Sequence, residues 1–183
     1  SRLVLDELGR LAKVAARPDG IVVANGTAKL DAANKYQVAG NVEGRNISFS
    51  QGAQRIRNVN LFTAINVDPN RIDLKGLRLS ALGGQFTGDA SLEQFARYSV
   101  NGSLRNLDMQ TVQKALGQKP LPYDGVVSGP IQAQGNLKTP GIKSLTANAK
   151  LSITPGRGGI PVSGRINADY NGATENIIVS DSY

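Results

Sequence analysis

Apolar and polar residues alternate along this chain from one end to the other, and a period of two confines it to β-strands with one dry face and one wet face. About ten such segments can be read. Val22, Ala24, Ala28 and Leu30 share one parity, and Tyr36, Val38 and Val42 repeat the scheme against Gln37, Asn41 and Glu43. Between Arg55 and Asp68, Val59, Leu61, Ile65 and Val67 oppose Asn58, Asn60, Asn66 and Asp68, a split that Phe62 and Ala64 break. In the next segment the apolar parity changes from Ile72 and Leu74 to Leu77 and Leu79; the change falls at Gly76, which predicts a β-bulge there. The cleanest strands carry Phe86, Ala90 and Leu92, then Tyr98, Val100 and Leu104. Further ones follow through Tyr123 to Leu137, Leu145 to Ile153, Ile160 to Tyr170, and Ile177 with Val179.

Inside these strands an apolar-x-Gly-x-apolar unit recurs, centred on Gly40, Gly88, Gly102, Gly129 and Gly164, with weaker copies at Gly26 and Gly135. Each glycine takes a place on the apolar parity, where a side chain would fill a core. Glycine weakens a strand interior, so its repetition needs a reason. Strand curvature, close approach of a facing sheet and a groove kept open for a ligand are the candidates, beside simple bulges in an ordinary sandwich.

Two stretches depart from period two. Residues 2–16 place Val4, Leu8, Leu11, Ala12 and Ala15 on a helical stripe that ends before Pro18 and Gly20. A shorter helix is predicted over 109–116, with Asp108 as N-cap, Met109, Val112 and Leu116 on one face, and Gly117 then Pro120 as the stop. Both read as caps over sheet edges.

The composition removes most chemistry. None of the 183 residues is a cysteine or a histidine, so thiolate metal sites, disulfides and the commonest general base are all absent. No Ser-x-x-Lys pattern offers another nucleophile, and Asp6 with Glu7, or Glu175 with Asp181, lack metal-ligand spacing. Gly156-Arg157-Gly158-Gly159 has the look of a phosphate cradle without the lysine-serine step or following helix, and reads as a hairpin turn. The expectation is a chain with no catalytic residue, no metal and no cofactor.

The net charge of +7 suits polyanions or anionic lipid, but aromatic residues make up only 5% of the chain, too few for nucleic-acid stacking, and no nucleic-acid partner is expected. Arg45, Arg55, Arg57, Arg71, Lys75 and Arg78 are scattered on polar parities, where they protect sheet edges. No apolar run approaches the roughly 18 residues of a spanning helix, and the chain opens at Ser1 without a signal peptide. Residues 1–183 therefore read as a single β-repeat segment of a longer protein, with any membrane anchor outside it.

The helix ending Ala115-Leu116-Gly117, the Pro120-Leu121-Pro122 link and the glycine-punctuated strand Tyr123 to Leu137 resemble the recurring unit of the AsmA-like and TamB proteins. Phe86 to Leu92 and Tyr98 to Leu107 are similar to the strands that precede that unit. The resemblance implies an all-β, elongated repeat sheet curled into a groove, a β-taco or solenoid-like form with two short helices. It also implies the periplasmic portion of an inner-membrane-anchored protein of a diderm bacterium, which conducts phospholipid toward the outer membrane and supports protein assembly there with a BamA-type partner.

A lipid groove needs a continuous apolar lining whose backbone polar groups are satisfied by the sheet. The candidate lining is Val38, Val42, Phe86, Leu92, Tyr98, Val100, Leu104, Val127, Ile131, Leu151, Ile153, Val162 and Ile166. The same residues can instead close on one another as a dry core, which is the rival reading of a structural or adhesive β-solenoid. The shallow inward parity, rich in glycine and alanine and without tryptophan, favours the groove. A polysaccharide-binding module is a third reading, and it calls for exposed aromatics that the chain hardly supplies.

Overall fold

The structure is a computed structural model that describes residues 2–4, 17–31, 35–51, 54–119, 121–139 and 141–183. Its strands follow one another in space as in sequence. They are β1 (Arg2–Val4), β2 (Arg17–Leu30), β3 (Tyr36–Gln51), β4 (Gln54–Asp68), β5 (Arg71–Ala81), β6 (Gly84–Glu93), β7 (Arg97–Asp108), β8 (Tyr123–Asn136), β9 (Thr146–Pro155), β10 (Ile160–Pro161), β11 (Gly164–Asn171) and β12 (Asn176–Ser180). All pair antiparallel with their sequence neighbours in a single sheet, except that β10 lies parallel to the start of β8 and β11 takes the place beside β9. The sheet is open, ending at β1 and β12. The fold is therefore all-β, as the alternation predicts.

Short turns hold this meander. Leu82 and Gly83, both at positive φ, link Ala81 to its partner Gly84, the two-residue geometry that suits the right-handed twist of a hairpin. Pro69 and Asn70 link Asp68 to Arg71, with the Asn70 N–H donating to the Asp68 carboxylate at 2.7 Å.

Helix α1 (Met109–Ala115) follows β7. Asp108 caps it by accepting from the Thr111 N–H at 2.6 Å. At its other end the Gly117 N–H reaches the Lys114 carbonyl and the Gln118 N–H the Gln113 carbonyl, with Gly117 at φ +73, which is a Schellman stop. The helix expected over 2–16 is not present at its start. Arg2–Val4 is strand β1, paired with Ile21 to Val23, where the edge of β2 offers backbone partners that override a shallow helical stripe. The rest of that helix, and Asp6 and Glu7, lie outside the described residues. No described helix is long and apolar enough to cross a membrane.

Little of the chain is enclosed. Among the described residues the buried apolar side chains are Ile47, Val59, Phe86, Ala96 and Ala115. The accessible surface is 12131 Å², against roughly 8,500 Å² for a compact protein of 19.3 kDa. The described elements stack edge to edge along the sheet, and only α1 packs beside it, against β4, β7 and β8.

Candidate functional site

Residues directly opposite one another in an antiparallel ladder point to the same face, so the register sorts every strand residue to a side. One row runs Gly44, Leu61, Leu79, Phe86, Leu104, Gly129. A second runs Gly26, Gly40, Ile65, Leu74, Ala90, Val100, Ala133, Ala147, Tyr170, Ile177. A third joins Ala28, Val38, Val67, Ile72, Leu92, Tyr98 and Gly135. These rows make one continuous apolar face across the sheet.

Every strand residue proposed as lining falls on that face. Val42 stands between Ala24 and Thr63, Ile131 between Gly102 and Ala149, Val127 between Leu107 and Ile153, and Leu151 opposite Ile166. Val162 lies outside the strands, but its Cγ2 is 3.0 Å from where a Cβ on Gly125 would stand, beside the Ile153 side chain. Among the candidates only Phe86 is buried; the others are half-buried. Leu61, Ile65, Val67, Ile72, Leu74 and Leu79 belong to the same face and extend it beyond the candidate lining. Their parity was visible, but the breaks at Phe62 and Gly76 hid the side they share.

The break at Phe62 is explained by the ladder. Thr63 takes the apolar-side position, is buried, and donates its hydroxyl to the Lys75 and Ala64 carbonyls at 3.2 and 3.0 Å. Phe62 turns to the polar face under the Arg78 guanidinium, 5.4 Å from the ring centre.

Three of the parity changes are made by bulges of one design. Gly76 sits at φ +58 between the pairs Leu74/Ala90 and Leu77/Gly88, with Asp89 as the single residue opposite. Asn46 (φ 50) and Asn106 (φ 54) occupy matching bulges in β3 and β7, opposite Asn60 and Ser128. In each the bulge N–H, having left the ladder, donates to that opposite side chain at 2.8 to 2.9 Å. Asparagine is the residue other than glycine that best tolerates this backbone region.

The inward glycines have a different cause. Gly88 faces Gly102, and Gly26 faces Gly40. A Cβ on Gly88 would stand 2.6 Å from the Gly102 Cα and closer still to the Asn101 carbonyl oxygen. One on Gly40 would stand 2.7 Å from the Gly26 Cα. The obstacle is the backbone of the adjacent strand, so these glycines stand where two strand backbones come too close for a side chain between them. Gly135 differs, since the Tyr98 ring from the paired strand covers it.

The opposite face is polar. Glu43 accepts from Arg45 at 2.7 Å, Asp73 and Glu93 flank Arg71 at 2.8 and 2.7 Å, and Lys75 approaches Asp89 at 3.5 Å. The Arg71 guanidinium, hydrogen-bonded to Asp73, holds that carboxyl below its ordinary value, and Arg45 does the same to Glu43. A cleft of about 590 Å³ lies on this side, between rows that include Asn101, Gln132, Asn148 and Asp169 and, one step along, Ser99, Gln134, Thr146 and Asn171. This cleft thus lies on the face opposite the lining candidates.

The Gly156–Gly159 run lies in the connection between the antiparallel strands β9 and β11, as the hairpin reading expects, but that connection is longer than a tight turn and contains β10. It crosses the start of β8, where the Gly158 N–H donates to Asp124 Oδ2 at 2.6 Å, the Val162 N–H to the Asp124 carbonyl at 2.9 Å, and the Ile160 N–H to the Pro122 carbonyl at 2.7 Å. Asp124 is 1% exposed. The loop that looks like a phosphate cradle therefore holds a carboxylate of its own chain. Among the described residues no cluster of His, Cys, Asp and Glu is grouped as a metal site.

Comparison with protein-family models, curated proteins and solved structures gave no match to this chain.

Proposed function

We propose that the chain is a segment of an AsmA-like or TamB-like repeat protein whose apolar sheet face carries the acyl chains of phospholipid across the periplasm of a diderm bacterium. The observation that carries this reading is the continuous apolar face from Val38 through Val100 to Ile166, most of whose side chains stay half-buried. A single sheet with that much unfilled apolar surface gains by covering it, at about 25 cal/mol for each Å² removed from water. An acyl chain is the simplest cover, since the sheet ladder already satisfies the backbone and the lipid has only to supply hydrocarbon.

The sheet's form is part of the proposal: bending at the Gly26/Gly40 and Gly88/Gly102 pairs curls the apolar face inward into a groove. A dry β-solenoid would need a second layer on the same face, and the short roster of buried side chains argues for the open form. Delivery to the outer membrane with a BamA-type partner extends the same reading and rests on the family resemblance, which is carried by Phe86 to Leu92, Tyr98 to Leu107 and Asp108 to Leu137.

Mass spectrometry of the gently purified protein tests the proposal. Phospholipid is expected to co-purify and to be lost from the Val100→Asp and Val127→Asp variants. A lipid-free protein that also refuses a fluorescent fatty acid overturns it.

A further inference from the structure

Several cations of the polar face are answered within the sheet. Arg45, Arg71, Lys75 and Arg97 each approach a carboxylate, and Arg78 stacks on Phe62. Arg55, Arg57 and Lys114 have no such partner among the described residues. Yet the fold brings these three together. Arg55 and Arg57 come from the beginning of β4, and Lys114 from the last turn of α1; with the β5–β6 hairpin at Ala81 to Gly84 they line one cleft of about 720 Å³.

Among the described residues no acidic side chain lines that cleft, and its other polar side chains are Asn58, Ser80, Gln85 and Thr111, all neutral. Asp108 adjoins the hairpin at Gly83 but is engaged in capping α1 through the Thr111 N–H at 2.6 Å. Like charges gathered in one cleft repel one another unless an anion is shared among them. A phosphate offers several acceptor oxygens on one centre, which suits two guanidinium forks and an ammonium converging on the same space.

The surroundings of the cleft point to the source of that phosphate. The apolar row Ala81, Gly84, Leu107, Val127, Ile153 reaches this end of the sheet, and Ala81 and Gly84 also line the cleft. A basic cleft therefore borders the apolar face, the order in which a phospholipid presents its phosphate and its acyl chains. We infer that the cleft of Arg55, Arg57 and Lys114 is a phosphate site that holds the headgroup of a phospholipid whose acyl chains lie on the apolar face. The lipid as source rests on the function proposed above; the phosphate chemistry rests on the cleft itself.

Amide chemical shifts followed by NMR test the site, with inorganic phosphate and, separately, dihexanoyl phosphatidylglycerol below its micelle concentration as probes. Both should move the amides of Arg57, Gly83 and Thr111 saturably, the lipid at lower concentration and with the Val127 amide as well. Arg55→Gln, Arg57→Gln and Lys114→Gln should each weaken binding about fivefold, whereas Arg78→Gln, the same loss of charge elsewhere on the polar face, should leave it unchanged. Absence of saturable shifts with both probes, or equal weakening by Arg78→Gln, overturns the site. Lipid that binds the Arg55→Gln/Arg57→Gln/Lys114→Gln variant as tightly as the native protein, yet is lost from Val100→Asp, overturns the site while supporting the apolar face as the lipid surface. Saturable phosphate binding in the cleft with no tighter binding of the lipid supports the site and overturns the phospholipid as its occupant.

Discussion

The backbone N–H of Gly76 donates to the carboxylate of Asp89 at 2.8 Å, across the bulge where β5 changes which parity faces the apolar side. The bond ties a polar-face residue to the register on which the apolar rows depend, because a slip of one residue would turn each side chain beyond the bulge to the wrong face. Asp89→Ala is expected to cost about 1 kcal/mol, below the roughly 1.5–3 kcal/mol of a hydrogen bond to a charged group, since the side chain is half-exposed. Gly76→Asn should be nearly neutral, as asparagine holds the equivalent places at 46 and 106, and Gly76→Val should cost more than Asp89→Ala. Urea denaturation of the variants measures all of these.

Gly88 and Gly102 pair where a side chain would strike the neighbouring backbone. Gly88→Ala or Gly102→Ala is expected to destabilise by about 1–3 kcal/mol, the range of overpacking, with the Gly88→Ala/Gly102→Ala double variant worse than either. Gly141→Ala is the control: its φ is +66 with nothing near the added Cβ, so only the backbone term, about 1 kcal/mol, should appear. Equal losses at all of these positions would remove close strand approach as the reason for the inward glycines.

Asp124 pins the 156–160 loop over the start of β8. Asp124→Ala should lose about 1.5–3 kcal/mol and free the loop, so that trypsin cuts after Arg157 much faster than in the native protein. Asp124→Asn retains an acceptor for the Gly158 N–H and should be cut at an intermediate rate.

Arg71 holds the Asp73 carboxyl below its ordinary value of 3.8, chiefly by the hydrogen bond between them. A depressed folded value means that the pair stabilises the fold above the ordinary carboxylate range, and that this contribution is lost as pH falls through the depressed value. Carboxyl chemical shifts followed by NMR should place the Asp73 midpoint below 3.8, and Arg71→Gln should raise it toward that value.

The strands and the side of the sheet on which the lining candidates lie were readable because alternation is written residue by residue, and Gly76 marked its own bulge through a parity change. The bulges at Asn46 and Asn106 carry the same signal, in which Gly44 gives way to Ile47 and Leu104 to Leu107, but asparagine, being also an ordinary polar-face residue, masks it. The loop over Asp124 was not readable, since its partners are separated by 34 residues and no pattern links a lone carboxylate to a distant glycine run. The cleft among Asn101, Gln132 and Asn148 arises from neighbouring strands in space, and no single segment announces it.

The central claim concerns which face meets lipid, and neighbouring positions on β7 test it directly. Val100 lies on the apolar face and Asn101 on the polar one. With a benzoylphenylalanine photocrosslinker placed at one position or the other in the protein expressed in a diderm bacterium, the account predicts a phospholipid adduct from position 100 and none from position 101. Adducts from 101 alone, or from neither position while the protein remains folded, would contradict it.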